Sequence, residues 1–194
     1  MRLRRVLAAL VFLGLVCVVT TTIFSALSSS TGSPGNLFSA GTVYLSDNDA
    51  GAALLSLSAA VPGATDTGCI RVTYGGSLDA NVRLYATVSG ALAPYLTLSV
   101  TRGTETAPSF DSCSTFTADP IDYRGVGPGV VYSGLLSAYP TGYATGLVDP
   151  PTGTVETWTT GESHSYRFTI TLNDDNAAQG LSATSSFHWE ARNL

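Results

Sequence analysis

The feature that most constrains this chain is an alternation of apolar and polar side chains with a period of two. It is clearest where Tyr166, Phe168, Ile170 and Leu172 are interleaved with Arg167, Thr169 and Thr171. Successive side chains of a strand point to opposite faces, so these four share one face of a strand. A helix would split them between two sides. The pattern recurs. Ile70, Val72 and Tyr74 alternate with Cys69, Arg71 and Thr73; Val82 and Leu84 with Arg83 and Tyr85; Leu96, Leu98 and Val100 with Thr97, Ser99 and Thr101; Val43 and Leu45 with Thr42, Tyr44 and Ser46. Each run reads as a strand with one face on a core and one in water.

Turn signals separate the runs: Asp47-Asn48-Asp49-Ala50-Gly51, Pro62-Gly63, Gly75-Gly76-Ser77, Ser89-Gly90 and Asn173-Asp174-Asp175-Asn176. Strand-length runs at such intervals predict an all-β protein, an antiparallel jelly-roll-like β-sandwich preceded by an N-terminal hydrophobic helix. A helical turn or two is expected near 134–139, and a loop-like, Pro-containing crossing over 103–129. Composition agrees, because only 12% of the 194 residues are charged, too few for the surfaces of a helical bundle. All nine basic residues are arginine.

Arg2, Arg4 and Arg5 precede fourteen uncharged, mostly apolar residues, 6–19. As a helix these rise only ~21 Å, short for a hydrocarbon layer of ~30 Å, so residues 1–28 read as a secretory signal cut after Ser28. Extension through Ile23, Phe24, Ala26 and Leu27 leaves a retained membrane anchor as the competing reading. Cys17 lies inside the apolar stretch and is taken as part of its packing. Residues 29–37 form a leader and 38–194 a single domain. The expected localisation is secreted or cell-surface, with membrane contact only through the N-terminal segment.

Loss of residues 1–28 leaves six arginines against fourteen acidic residues, a net charge of −8. Such a surface repels phosphate backbones, so nucleic acid is not an expected partner. Cys69 and Cys113 remain as an even pair in an oxidising compartment and are expected to form a disulfide, pinning the 103–129 crossing to the strand that holds Cys69.

Groups with catalytic character are sparse, and no catalytic residue or cofactor is assigned. The two histidines, His164 and His188, read as sheet-surface residues, and no His-Glu-x-x-His spacing accompanies them. Gly125-Val126-Gly127-Pro128-Gly129 lacks the lysine of a phosphate loop and reads as a turn. No Gly-x-Ser-x-Gly elbow occurs. Asp174 and Asp175 are adjacent, which sends their side chains to opposite sides of an extended chain. Asp47 and Asp49, with Asn48 and Gly51, place hard oxygens on a tight turn and form a weak calcium candidate. A solvated turn is the simpler reading.

Several stretches taken in order resemble the TasA/camelysin (CalY-like) family of bacterial secreted surface proteins. They are Asn36-Leu37-Phe38-Ser39-Ala40-Gly41-Thr42-Val43-Tyr44-Leu45 after an export signal, Pro62-Gly63 before a strand, and Gly75-Gly76-Ser77-Leu78 after it. The stretch from Tyr166-Arg167-Phe168 to Phe187-His188-Trp189-Glu190-Ala191 looks like actinobacterial members. The resemblance implies a non-enzymatic subunit of biofilm-matrix fibres, self-associating by strand complementation or binding other cell-surface proteins. The donor would be residues 29–45, with Phe38, Val43 and Leu45 as apolar anchors. The chain departs from the family near the cleavage site, where Phe24-Ser25-Ala26-Leu27 replaces the usual aromatic followed by Thr-Asp or Ser-Asp. Two alternatives stand beside this reading: a metallopeptidase of the camelysin branch, and a carbohydrate-binding module using Tyr132, Tyr139, Tyr143 and Trp158.

Overall fold

The computed structural model describes residues 41–58, 60–150 and 157–194. The signal segment, the leader and Phe38 lie outside the described residues. Nine strands are described: β1 (Leu45–Asp47), β2 (Thr65–Tyr74), β3 (Ala80–Ser89), β4 (Leu96–Glu105), β5 (Phe116–Ala118), β6 (Val130–Leu135), β7 (Leu147–Val148), β8 (Ser163–Leu172) and β9 (Thr184–Asn193). The helical segments among them are single 3-10 turns, one of them at Leu136–Ala138.

Two antiparallel sheets form the sandwich. The larger runs β1-β2-β8-β4-β5, with β6 pairing the first half of β4; the smaller runs β7-β3-β9. The alternation read from sequence sets the two faces. Tyr166 and Phe168 are fully buried, with Ile170 and Leu172 nearly so. They meet Val72, Tyr74, Leu98 and Val100 of neighbouring strands and Val82, Leu84 and Ala86 of the opposing sheet in one core. Burying a side chain of this size contributes about 1.5–3 kcal/mol. On the outer face Thr65 and Thr171, and Thr67 and Thr169, are cross-strand hydroxyl pairs, each 3.1 Å apart.

Two boundaries and one face differ from expectation. The first strand is only Leu45–Asp47, because Thr42 and Tyr44 instead bond the loop after β2, through Ser77 and Gly75. The 103–129 crossing is less irregular than its composition suggests: β4 continues to Glu105 and β5 pairs with its end. Glycine makes that pairing possible, since a Cβ at Gly103 would lie 2.1 Å from the Thr117 carbonyl oxygen. Lastly, Cys69 and Thr101, on the outward register, are buried, because the crossing folds over the outer face and Gly129 closes on Thr101.

That crossing is fastened by the Cys69–Cys113 disulfide, with the Cα atoms 5.2 Å apart and 44 residues apart in sequence. The Asp111 amide donates to the Cys69 carbonyl at 2.9 Å, and the Arg167 guanidinium lies 5.0 Å over the Phe116 ring. Closing a loop of this length stabilises by about 4 kcal/mol through restriction of the unfolded chain. The Cys69→Ser/Cys113→Ser double variant is therefore expected to lose about 4 kcal/mol. Thermal melts with and without reductant check this: reductant lowers the wild-type melting temperature toward that of the variant and leaves the variant unchanged.

Candidate functional site

Two groups of residues stand out from the plain core. The first is a buried ionic network around Arg102, whose side chain is 6% exposed. The register against β8 pairs Arg102 with Tyr166, so both point inward. Arg102 Nε lies 3.1 Å from Asp149 Oδ1, and Nη1 lies 2.5 Å from Asp119 Oδ2. The Tyr166 hydroxyl donates to Asp149 at 2.6 Å and the Tyr123 hydroxyl to Asp119 at 2.8 Å. His164 Nε2 is 2.9 Å from both Arg102 Nη2 and Glu162 Oε1. One imidazole nitrogen cannot accept from the guanidinium and donate to the carboxylate together, so which of the two contacts is a hydrogen bond depends on the tautomer of the ring.

Burial, then the charge and hydrogen bond of Asp149, push the Tyr166 hydroxyl well above its ordinary pKa. Burial, aided by Asp119, raises Tyr123 to about 12. At Glu162 burial also works upward, but the Thr159 amide and His164 outweigh it and hold the carboxyl below its ordinary value. This network ties β4 and β8 to the 119–123 loop and to Asp149. The backbone repeats the tie, with Arg102 N–H donating to Gly129 and Asp119 N–H donating to Arg102.

The expectation that His164 sits on a sheet surface is corrected here. It shares the inward register of Tyr166 and Phe168 and packs edge-on against the buried Trp158 at 4.6 Å. His188 does lie on the outer face of the smaller sheet, beside Tyr85 at 5.2 Å. The two imidazoles therefore do not converge. Among the described residues no group of three or more His, Cys, Asp or Glu is placed to hold a metal ion. In the Asp47–Asp49 turn the oxygens are engaged locally: Asp47 Oδ1 accepts from the Asp49 amide, Asp49 Oδ1 from Gly51, and Asn48 Oδ1 from Arg71. Of the aromatics proposed for stacking, Tyr132, Tyr139 and Trp158 are buried in the core. Tyr143 is half-buried beneath Arg192, 3.8 Å from its ring.

The second group is an open seam. Among the described residues the ten-residue β9 is the outer strand of the smaller sheet and pairs on one side only, with β3. No other backbone hydrogen bond from Thr184–Asn193 occurs among the described residues. Two cavities lie along it. The smaller, about 190 Å³, is lined by Leu45, Ser46 and Asp47 of β1 and by Phe187, His188 and Trp189 of β9. The larger, about 560 Å³, lies where β9 begins, between Thr184 and Ser185 on one side and Leu55, Leu57 and Pro62 on the other. Leu45 is in register with Tyr74 of its own subunit, and Val43 is exposed. The sequence pattern contains β9 only weakly, since Thr184, Ser185 and Ser186 carry no apolar residue. Strand order, which makes it an edge, has no local signature. The signal that was available for Arg102 is its place at the end of the Leu96, Leu98, Val100 alternation.

No protein-family model matches the chain, and no curated protein matches it in sequence.

Removing one partner from a buried ion network leaves charge uncompensated, so Arg102→Met is expected to lose about 3–5 kcal/mol, measured by denaturant titration. Glu162 makes stability depend on pH. Its folded pKa is depressed, so its contribution is present above the ordinary value of 4.5 and is lost as pH falls through the folded pKa. Replacing it in Glu162→Gln should flatten the stability profile across the region below pH 4.5, read from denaturation midpoints at stepped pH.

Proposed function

We propose that the protein is an exported, non-enzymatic structural subunit of the cell surface or extracellular matrix. Copies associate by adding a strand of one subunit to the free edge of β9 in the next. The observation that carries this reading is the seam: a ten-residue edge strand whose outward backbone groups have no strand partner among the described residues, with a mainly apolar cavity where it begins. Long exposed edges are templates for strand addition, and soluble monomers ordinarily block them with charge, proline or a covering segment. Main-chain hydrogen bonds to such an edge supply affinity, and cavities receive alternate side chains.

Polarity supports assembly into filaments. The chain enters the described fold at Gly41, where Thr42 is tied to Ser77 beyond the end of β2. Val43, Tyr44 and Leu78 are exposed apolar residues at that end. The larger cavity lies at the opposite end, beside Pro62, Leu92 and Leu172. The two ends are separated by the length of β2, about 33 Å for ten residues. A segment leaving one end and docking at the other makes a heterologous contact, which repeats without closing. The resemblance to the TasA/camelysin family points the same way. Since Leu45 is engaged in its own sheet, the donor is best assigned to the residues before Gly41, with Phe38 as anchor.

Two variants test the proposal by electron microscopy. Deleting residues 29–40 should abolish fibres and leave a folded monomer. Ser185→Lys places a charge on the inward register of the seam at an exposed position and should do the same with an unchanged thermal melt. Fibres persisting in both variants would defeat the mechanism.

A further inference from the structure

We propose that the wide end of the seam is a binding pocket for an uncharged amphiphile, a molecule with an apolar body and a neutral hydrogen-bonding head. The cavity measures about 560 Å³, within the roughly 300–1,000 Å³ of small-molecule sites. Its deep side is closed by core residues Leu96, Leu136, Ile170 and Leu172, all buried. Leu55 and Leu57 stand on the facing wall. This is a pocket half open to solvent, with a mainly apolar floor and polar groups at its edge.

Charge selects the ligand class. Among the described lining residues Asp175 is the one carboxylate, and there is no arginine or histidine. An anionic head, such as a carboxylate, sulfonate or phosphate, would leave water to sit near a like charge with no counter-ion. Anionic lipids are therefore disfavoured. Asn176, Gln179 and Thr184 on the rim offer amide and hydroxyl partners to a neutral head instead. Ser185 belongs both to this pocket and to the edge strand, so an occupant also competes with strand addition; that second consequence rests on the assembly reading above.

The test uses two fluorescent probes with the same aromatic body, applied to the full chain recovered from a secreting host. N-phenyl-1-naphthylamine is neutral, and 1-anilinonaphthalene-8-sulfonate carries a sulfonate. The neutral probe is expected to bind one per chain with a blue-shifted emission, about tenfold more tightly than the sulfonate. In Asp175→Asn the side chain still caps the Ala177 amide but the charge is gone. The sulfonate should gain most of that factor while the neutral probe is unchanged. Ala53→Trp, at an exposed position of the lining, should fill the mouth and weaken the neutral probe about tenfold without altering the thermal melt.

Equal affinity for the two probes, or neutral-probe binding indifferent to Ala53→Trp, would overturn the pocket. Saturating neutral probe should suppress fibre growth of the wild type, and normal growth at saturation overturns the competition alone. A wild type that forms no fibres under any condition counts against the assembly reading, while the probe titrations still decide the pocket.

Discussion

Three strands have to cover the apolar face of six. That inequality between the sheets shapes the rest of the structure. The inner faces of β2, β8 and β4 carry Val72, Tyr74, Phe168, Ile170 and Leu98, and the smaller sheet opposes them with β3 and β9 and only two residues of β7. Connecting segments make up part of the shortfall: Leu54, Leu55 and Leu57 pack against the core from the β1–β2 connection, and Leu136 from a 3-10 turn. Where they stop, the outward side of β9 has no paired strand among the described residues. The seam is thus what the described connections leave uncovered.

Most of the architecture was legible in the residues. The period-two runs at 70–74, 82–84, 96–100 and 166–172 fell on strands with the expected faces buried, and Cys69 and Cys113 are joined. These features are local, or follow from a single compartment argument, and local pattern reports them well. What the pattern does not hold is order. Nothing in Thr184 to Asn193 says that the strand lies at an edge, and nothing in Val43 to Asp47 says that the first pairing is three residues long.

Arg102 is the instructive omission. An arginine after three core positions in register invites reading as the end of the buried run, since desolvating a guanidinium is costly unless it is paired and hydrogen-bonded. Its partners, Asp119 and Asp149, come from segments 17 and 47 residues on and carry no pattern of their own. The inward position of His164 is hidden in the sequence for the same reason: its face is countable from Tyr166 and Phe168, but a polar residue on an inward register becomes plausible only once its carboxylate and guanidinium neighbours are known. Buried polar clusters are long-range facts, and a short window does not contain them.

The Cys69–Cys113 bond has a mechanical consequence. It encloses all of β3 and β4 within a covalent loop of 44 residues. Tension applied through the start of the chain would reach β2 and then bypass that loop through sulfur. The roughly 150 Å of contour that those residues would otherwise release on extension stays locked, so an overstretched subunit yields a shorter tether and keeps β3 and β4, ten residues each, within reach of each other.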